Sequence, residues 1–256
     1  MSGIATGGFQ YREQAAAPAL EQWVECLWRV ETVAPVPEYA VRPDGCLDIV
    51  YSPGTGLRLV GAMTRGERYT LEAGARTVGI RFQPGMAGGH LGLQAEELTG
   101  QVIALEDVWG RRARQLQARL DGTDSPVAWQ RLLHDALAPP ARSPEAVERA
   151  IAAIVAARGN LDVEWAASQA GLSARQFRRR CAESSGLAPK HLCRVLRFRH
   201  ACALASRGAA WALVAAEAGY CDQAHLIRDF REFTGGPPMA VFSKTAAPPM
   251  RYIEAT

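Results

Sequence analysis

Gly171-Leu172-Ser173-Ala174-Arg175-Gln176-Phe177-Arg178-Arg179 and Gly219-Tyr220-Cys221-Asp222-Gln223-Ala224-His225-Leu226-Ile227-Arg228-Asp229-Phe230 are two versions of one local pattern, and together they decide the fold. Ahead of each glycine, Ala166-Ala167 with Ala170 recurs as Val214-Ala215 with Ala218, a shift of 48 residues. Behind it the shift is 49: Ser173 answers to Asp222, Phe177 to Leu226, Arg179 to Arg228, Cys181 to Phe230, Gly186 to Gly235 and Pro189 to Pro238. One residue has been added in the second turn. The small residues let a first helix approach a second closely, and the glycines stand where that helix must stop in a left-handed conformation. Ser173 and Asp222 are positioned to cap the next helix, whose i, i+4 pairs Phe177 with Cys181 and Leu226 with Phe230 make a core face. A helix, a short turn containing Gly and a second amphipathic helix is the helix-turn-helix pattern, and here it occurs twice in register.

Residues 189–207 join the two units without an internal Gly or Pro, and Leu192, Val195, Leu196, Arg199 and Ala203 keep a helical period. At about 1.5 Å per residue this predicts a rod roughly 28 Å long. An earlier helix is expected from a Ser143 cap and Pro144, with Val147, Ile151, Ile154 and Val155 as its stripe, ending near Gly159. The two glycine-led segments, with Thr234-Gly235 and Pro238 beyond the second, resemble the two recognition segments of AraC-family transcription regulators, over residues 144–242. Arg42-Pro43-Asp44-Gly45-Cys46-Leu47-Asp48-Ile49 and Gly79-Ile80-Arg81-Phe82-Gln83-Pro84-Gly85 resemble a short N-terminal module found in one subgroup of such regulators. That module is shorter than the cupin barrel of sugar-sensing members, so a sugar pocket is not implied.

The resemblance implies double-stranded DNA as partner, with Arg175, Arg178 and Arg179, at i, i+3 and i+4, on a face that enters the major groove. Arginine donates two bonds to guanine O6 and N7, and Gln176 at the edge of the face has the groups to pair with adenine. In the second unit the outward face is Gln223, Ala224 and Arg228; Asp222 reads better as a cap, and His225 as a packed or capping residue. Lys190, Arg194 and Arg197 read as phosphate or surface charges. With successive major-groove segments about 34 Å apart, the connecting rod suits two half-sites read by one chain.

Composition supports a soluble chain of two modules. Hydrophobic residues make 48% and charged residues 21% of 256, and no run approaches the roughly 18 uninterrupted apolar residues of a membrane helix. No membrane partner is expected, and the expected location is cytoplasmic. The 14 arginines and 16 carboxylates of residues 1–143 leave a small negative balance, whereas residues 144–256 carry 15 cations against 10 carboxylates. The basic charge therefore sits in the repeat-bearing half. Pro139 and Pro140 interrupt the chain at this change of sign, placing a boundary at residues 138–143 between an N-terminal sensory or interaction module, residues 1–138, and a DNA-binding domain, residues 144–256.

Within the first module, residues 18–31 carry Leu20, Trp23, Val24, Leu27 and Trp28 at helical spacing. Short β-rich runs follow at 38–42, 47–51, 57–63, 69–71 and 77–82, broken by Pro43-Asp44-Gly45, Pro53-Gly54 and Pro84-Gly85, and helices are expected at 111–120 and 126–137. The fold class expected is α+β: a small, mostly antiparallel β module with helices, followed by an all-α domain of two helix-turn-helix units joined by a long helix. The six cysteines are scattered without a C-x-x-C pair and read as reduced, small hydrophobes. Cys46 and His90 lack companions at catalytic or metal-ligand spacing, so no catalytic residue, metal or cofactor is expected. Trp23, Trp28, Arg42, Asp48 and Arg81 are the candidate lining of an effector pocket, the plainer reading being that Asp44-Gly45 make a turn and Cys46 starts a strand. The leading expectation is a DNA-binding regulator, not an enzyme, acting with a small effector, a second copy of itself and the transcription machinery. The competing readings are an enzyme or a metal- or thiol-dependent sensor fused to the DNA-binding domain, and a purely structural dimerisation module.

Overall fold

The computed structural model describes residues 2–6, 8–137 and 142–242. Its first part is built of strands β1 (Ser2–Thr6), β2 (Phe9–Gln14), β3 (Val24–Thr32), β4 (Val36–Val41), β5 (Asp48–Ser52), β6 (Gly56–Val60), β7 (Glu67–Leu71) and β8 (Arg76–Phe82). A short helix α1 (Ala87–Leu91), a 3-10 turn (Ala95–Leu98) and strand β9 (Val102–Ala104) follow, then helices α2 (Glu106–Trp109), α3 (Arg111–Asp121) and α4 (Pro126–Ala136). The remainder is helical: α5 (Ala146–Ala156), α6 (Val163–Gln169), α7 (Ala174–Ser185), α8 (Pro189–Ser206), α9 (Trp211–Glu217), α10 (Gln223–Thr234) and α11 (Pro238–Val241). Seven strands form an antiparallel sheet in the order β1-β2-β3-β8-β5-β6-β9, and β4 pairs with β7 in a separate antiparallel ribbon. The expected α+β class, with its helical second half, is what the chain adopts.

Residues 18–31 are not a helix. The Trp23 and Val24 amides each donate to the Leu20 carbonyl at 2.8 Å, which closes one turn, and from Val24 the chain is strand β3. This strand lies between β2 and β8 and is buried on both sides: Leu27 joins the main core, whereas Cys26, Trp28 and Val30 join a second cluster with Phe9, Tyr11 and Val36. Cys26, Leu27 and Trp28 are buried in succession, and a register shift between Val24 and Cys26 breaks the period, so the first half of the strand imitates a helical stripe, whereas Trp28 to Thr32 alternates buried and half-buried as a strand does. β2 was legible but unread: Phe9 and Tyr11 are buried and alternate with exposed Gln10 and Arg12. α5 begins later than expected, with Glu145 rather than Ser143 as its cap; the Glu145 amide donates to Glu148 Oε2 at 2.6 Å, the reciprocal half of a capping box. The boundary placed at residues 138–143 lies largely on residues 138–141, outside the described residues.

One core cluster runs from Leu20 through the sheet into Phe177, Leu192, Phe198 and Phe233, so the β module and the helical half share their interior. The Arg42-to-Ile49 segment is buried where the two meet. Gly45, at φ 80, would place a Cβ 2.9 Å from Leu192 Cδ1, so the turn needs glycine both for its conformation and for the approach of α8. Beside this contact, and half-buried, Arg199 of α8 forks onto Glu25 of β3: Nη1 donates to Oε2 at 3.0 Å, Nη2 bonds Oε1, and the Cys46 thiol adds a donor to Oε2 at 3.3 Å. Burial alone would raise the Glu25 carboxyl, but the Arg199 charge and hydrogen bonds outweigh it and bring the group from 4.5 down to about 2.

Glu25→Gln leaves the Arg199 guanidinium without its counter-charge and is expected to cost roughly 3 kcal/mol, read as a lowered denaturant midpoint at neutral pH. The folded value lies below the unfolded one, so the pair's contribution is complete above about pH 4.5 and is lost as pH falls towards 2. The stabilities of the parent and of the Gln variant should therefore converge across that window; parallel pH curves would contradict the role assigned to the pair.

Candidate DNA interface

Both helix-turn-helix units are built as their sequences require. α6 ends at Gly171 (φ 65) and α9 at Gly219 (φ 78), while Gly186 and Gly235, both at φ 76, end α7 and α10. Gly219 suits the left-handed turn, and a Cβ there would also displace the Asn160 side chain. Ser173 caps α7, with the Gln176 amide 3.3 Å from Ser173 Oγ, and Asp222 caps α10, with the His225 amide 2.6 Å from Asp222 Oδ1. Phe177, Cys181, Leu226 and Phe230 are fully buried, which fixes the rotation of both helices.

The opposite faces are open. Arg175, Gln176, Arg178 and Arg179 are exposed on α7, and Gln223, Ala224 and Arg228 on α10. Arg180 and Arg231 are also exposed on the same two helices, although no motif marked them. Arg179 sits 3.5 Å from Glu183 one turn away, and Arg180 3.9 Å from Glu145, the cap of α5. Gln176 is occupied: its Oε1 accepts from the Ser173 amide at 3.0 Å and from the Ser173 hydroxyl at 2.8 Å, closing a capping box. His225 packs edge-on to Tyr220 with ring centres 5.0 Å apart.

α8 is an 18-residue rod, about 27 Å at the usual rise. Two of its cations are internal struts. Arg194 binds Asp229 at 2.8 Å and also Glu232, and its guanidinium carbon lies 5.2 Å from the Phe233 ring centre. Arg197 donates to the Gly159 carbonyl at 3.1 Å. Lys190 alone of the three is exposed.

The five candidate effector residues do not form one pocket. Arg81, 1% exposed, lies 3.6 Å from Asp48, 3.4 Å from Asp44 and 3.2 Å from Glu13, and donates to the Tyr11 hydroxyl at 3.3 Å. Burial opposes its charge, but the carboxylates around it, Asp48 and Asp44 among them, outweigh burial and hold it ionised. Trp28 stacks on Tyr11 at 6.4 Å and lies flat across Gly79, so it borders this cluster. Trp23 packs on the other core, beside His90 and under the Arg142 guanidinium. Arg42 points to the helical half, 3.9 Å from Cys202 Sγ and 5.0 Å from the Phe242 ring centre. Sequence reasoning missed Glu13 and Glu25, which carried no motif. The Cys46 thiol is buried and pushed well up by that burial and by Asp44 and Glu25, so it is held protonated. No group of His, Cys, Asp and Glu among the described residues is arranged to hold a metal ion, and no helix among them is long and apolar enough to cross a membrane.

Residues 166–244 match a family model described as a helix-turn-helix domain, and residues 12–104 match one described as a domain of unknown function (DUF6597). No curated protein matches the chain. Similar solved structures include ToxT from Vibrio cholerae at 1.65 Å, 9% identical, covering 91% of this chain and 97% of that one with a TM-score of 0.40. Another is ToxT from Vibrio cholerae with an unsaturated fatty acid bound, 10% identical, covering 85% and 99% with a TM-score of 0.41. The repeat, its caps and the family match define a DNA-binding helix-turn-helix domain. It is of the AraC type, two units on one connecting helix, preceded by an antiparallel β module.

Loss of either cap, Ser173→Ala or Asp222→Ala, is expected to cost about 1 kcal/mol in thermal or denaturant unfolding. Gln176→Ala should act in the same way, lowering stability and weakening all DNA sequences alike. Loss of preference at a single adenine, with unchanged stability, would show instead that Gln176 leaves its cap to read a base.

Proposed function

We propose that the protein is a sequence-specific transcription regulator in which residues 144–256 bind double-stranded DNA and residues 1–138 form a sensory or interaction module. The observation that carries this reading is the twofold recurrence of a capped, glycine-ended helix with an open cationic face, set on one rod. Arg175 and Arg179 are the principal base readers of the first unit, with Arg178 and Lys190 on phosphates. Gln223, Ala224 and Arg228 form the face of the second unit, which has less charge and discriminates less. Gln176 serves mainly as a cap.

The N-terminal module responds to a small effector or a partner, and the Arg81 cluster bordered by Trp28 is the part of the candidate lining that stands together. A thiol-dependent activity centred on Cys46 is disfavoured, because a buried, protonated thiol is a poor nucleophile. Regulation also needs contact with the transcription machinery, and a second copy of the chain is a natural further partner. The cytoplasm is the compartment where such a protein acts.

Selection of bound duplexes from genomic fragments by the full-length protein tests the reading directly. Arg175→Ala and Arg179→Ala are each expected to lose about 1 to 3 kcal/mol of discrimination at one half-site. Lys190→Ala should weaken all sequences equally and lower the slope of log affinity on log salt by about 0.9. An absence of selected sequences, or a larger specificity loss from Arg228→Ala than from Arg179→Ala, would overturn the reading or its ranking of the two units respectively.

A further inference from the structure

The β module touches both helix-turn-helix units as well as the rod between them. At the first unit, α7 packs on α1 and on the 3-10 turn, and Thr99 Oγ1 donates to the carbonyl of Gly186, the residue that ends α7, at 2.6 Å. A Cβ at Gly186 would sit 3.1 Å from Ala62, Ala95 and Thr99, so this end of the helix is seated against the module. At the second unit, the Gly66 amide donates to the carbonyl of Phe233, in the last turn of α10, at 2.7 Å. The Arg42 guanidinium lies against Phe242 just beyond α11. Between these points the rod is gripped by the Glu25–Arg199 pair and by Leu192 on Gly45.

We infer that the β module is a brace that sets the separation and angle of the two recognition helices, with Thr99 and Gly66 as positioning residues for half-site spacing. The inference rests on the proposed reading that both units touch DNA. Two linked sites bind as one only when the link holds them at the span of the target; loosening it lowers the effective concentration of the second site and blunts the choice of span. A one-base-pair change in spacing moves a half-site by about 3.4 Å and turns it by about 35°, so a rigid reader is strongly selective for spacing. The rod alone fixes distance along its axis, but each unit meets it at one end. A body that bonds the C-terminal end of both recognition helices restrains their rotation about the rod. Neither Thr99 nor Gly66 lies on a recognition face, so an effect on spacing separates positioning from DNA contact.

The test uses the full-length chain and an operator selected from random duplexes, with spacings one base pair shorter and longer, and duplexes carrying a single half-site. Thr99→Val removes the bond to Gly186 with little change of volume. Gly66→Ala places a Cβ 2.7 Å from the Phe233 carbonyl and 3.1 Å from that of Val41, which forces the contact apart. Val33→Ala, at an 81% exposed position, is the control. Each of the two brace variants is expected to lose about three- to tenfold of the preference for the selected spacing, while single half-site affinity stays within about twofold and the control keeps both. If the spacing preference persists in both variants, the rod alone sets it and the inference is wrong. An equal loss on half-sites and full operator, with a lowered melting temperature, would make the residues merely structural and would also overturn it. Selected sites that contain no pair of half-sites would instead remove the proposed two-unit reading.

Discussion

A carboxylate on the central sheet and a guanidinium on the connecting helix, Glu25 and Arg199, meet half-buried where the two halves join, and their fork fixes how α8 lies on β3. Two charges largely withdrawn from water are best tolerated when they are forked together and their remaining atoms are satisfied. That requirement ties β3 to the middle of α8, brings the Cys46 thiol in as a further donor and leaves room for the close turn at Gly45. Once α8 is seated, its apolar side, Leu192, Val195, Leu196 and Phe198, completes a core that neither half closes alone.

The polar interior of the β module follows the same logic one layer further in. Arg81 on β8 gathers Glu13, Asp44 and Asp48, and the Asp44 side chain also accepts the Cys46 amide at 3.0 Å. The motif Arg42-to-Ile49 therefore has two audiences: its acidic residues face the Arg81 cluster, and its arginine and glycine face the helical half. A disturbance of the Arg81 cluster has a short physical route to α8 through Cys46 and Glu25.

The sequence was most informative where one side chain pattern repeats within a few residues. The α7 and α10 caps, their glycine ends and the buried Phe177 and Phe230 were all legible, because local geometry dictates them. The strands β4 to β8 were legible for the same reason, through alternation and turn residues. β3 was masked by its first half, where Cys26, Leu27 and Trp28 are buried in succession and hide the alternation that Trp28 to Thr32 keeps. At the interface, the exposed charge faces could be read from Arg175, Arg178 and Arg179, but the occupation of Gln176 by its own cap and of Arg194 by Asp229 and Glu232 depends on geometry. Trp23, Trp28, Arg42, Asp48 and Arg81 are near in pattern yet divided between two cores and an interface, which only the register of β3 against β8 reveals.

The burial of Gly45 beneath Leu192 also has a bearing on how the chain comes to be folded. Synthesis is vectorial, and the module that carries Arg42, Asp44 and Glu25 leaves the ribosome well before the helix that covers it. Contacts of such long sequence separation are slow to form, because the closure of the intervening chain precedes any reward from packing. Until α8 is complete, the apolar surface beneath Leu192 lacks its cover and the Glu25 carboxylate lacks Arg199, so the seating of α8 is a late event in folding.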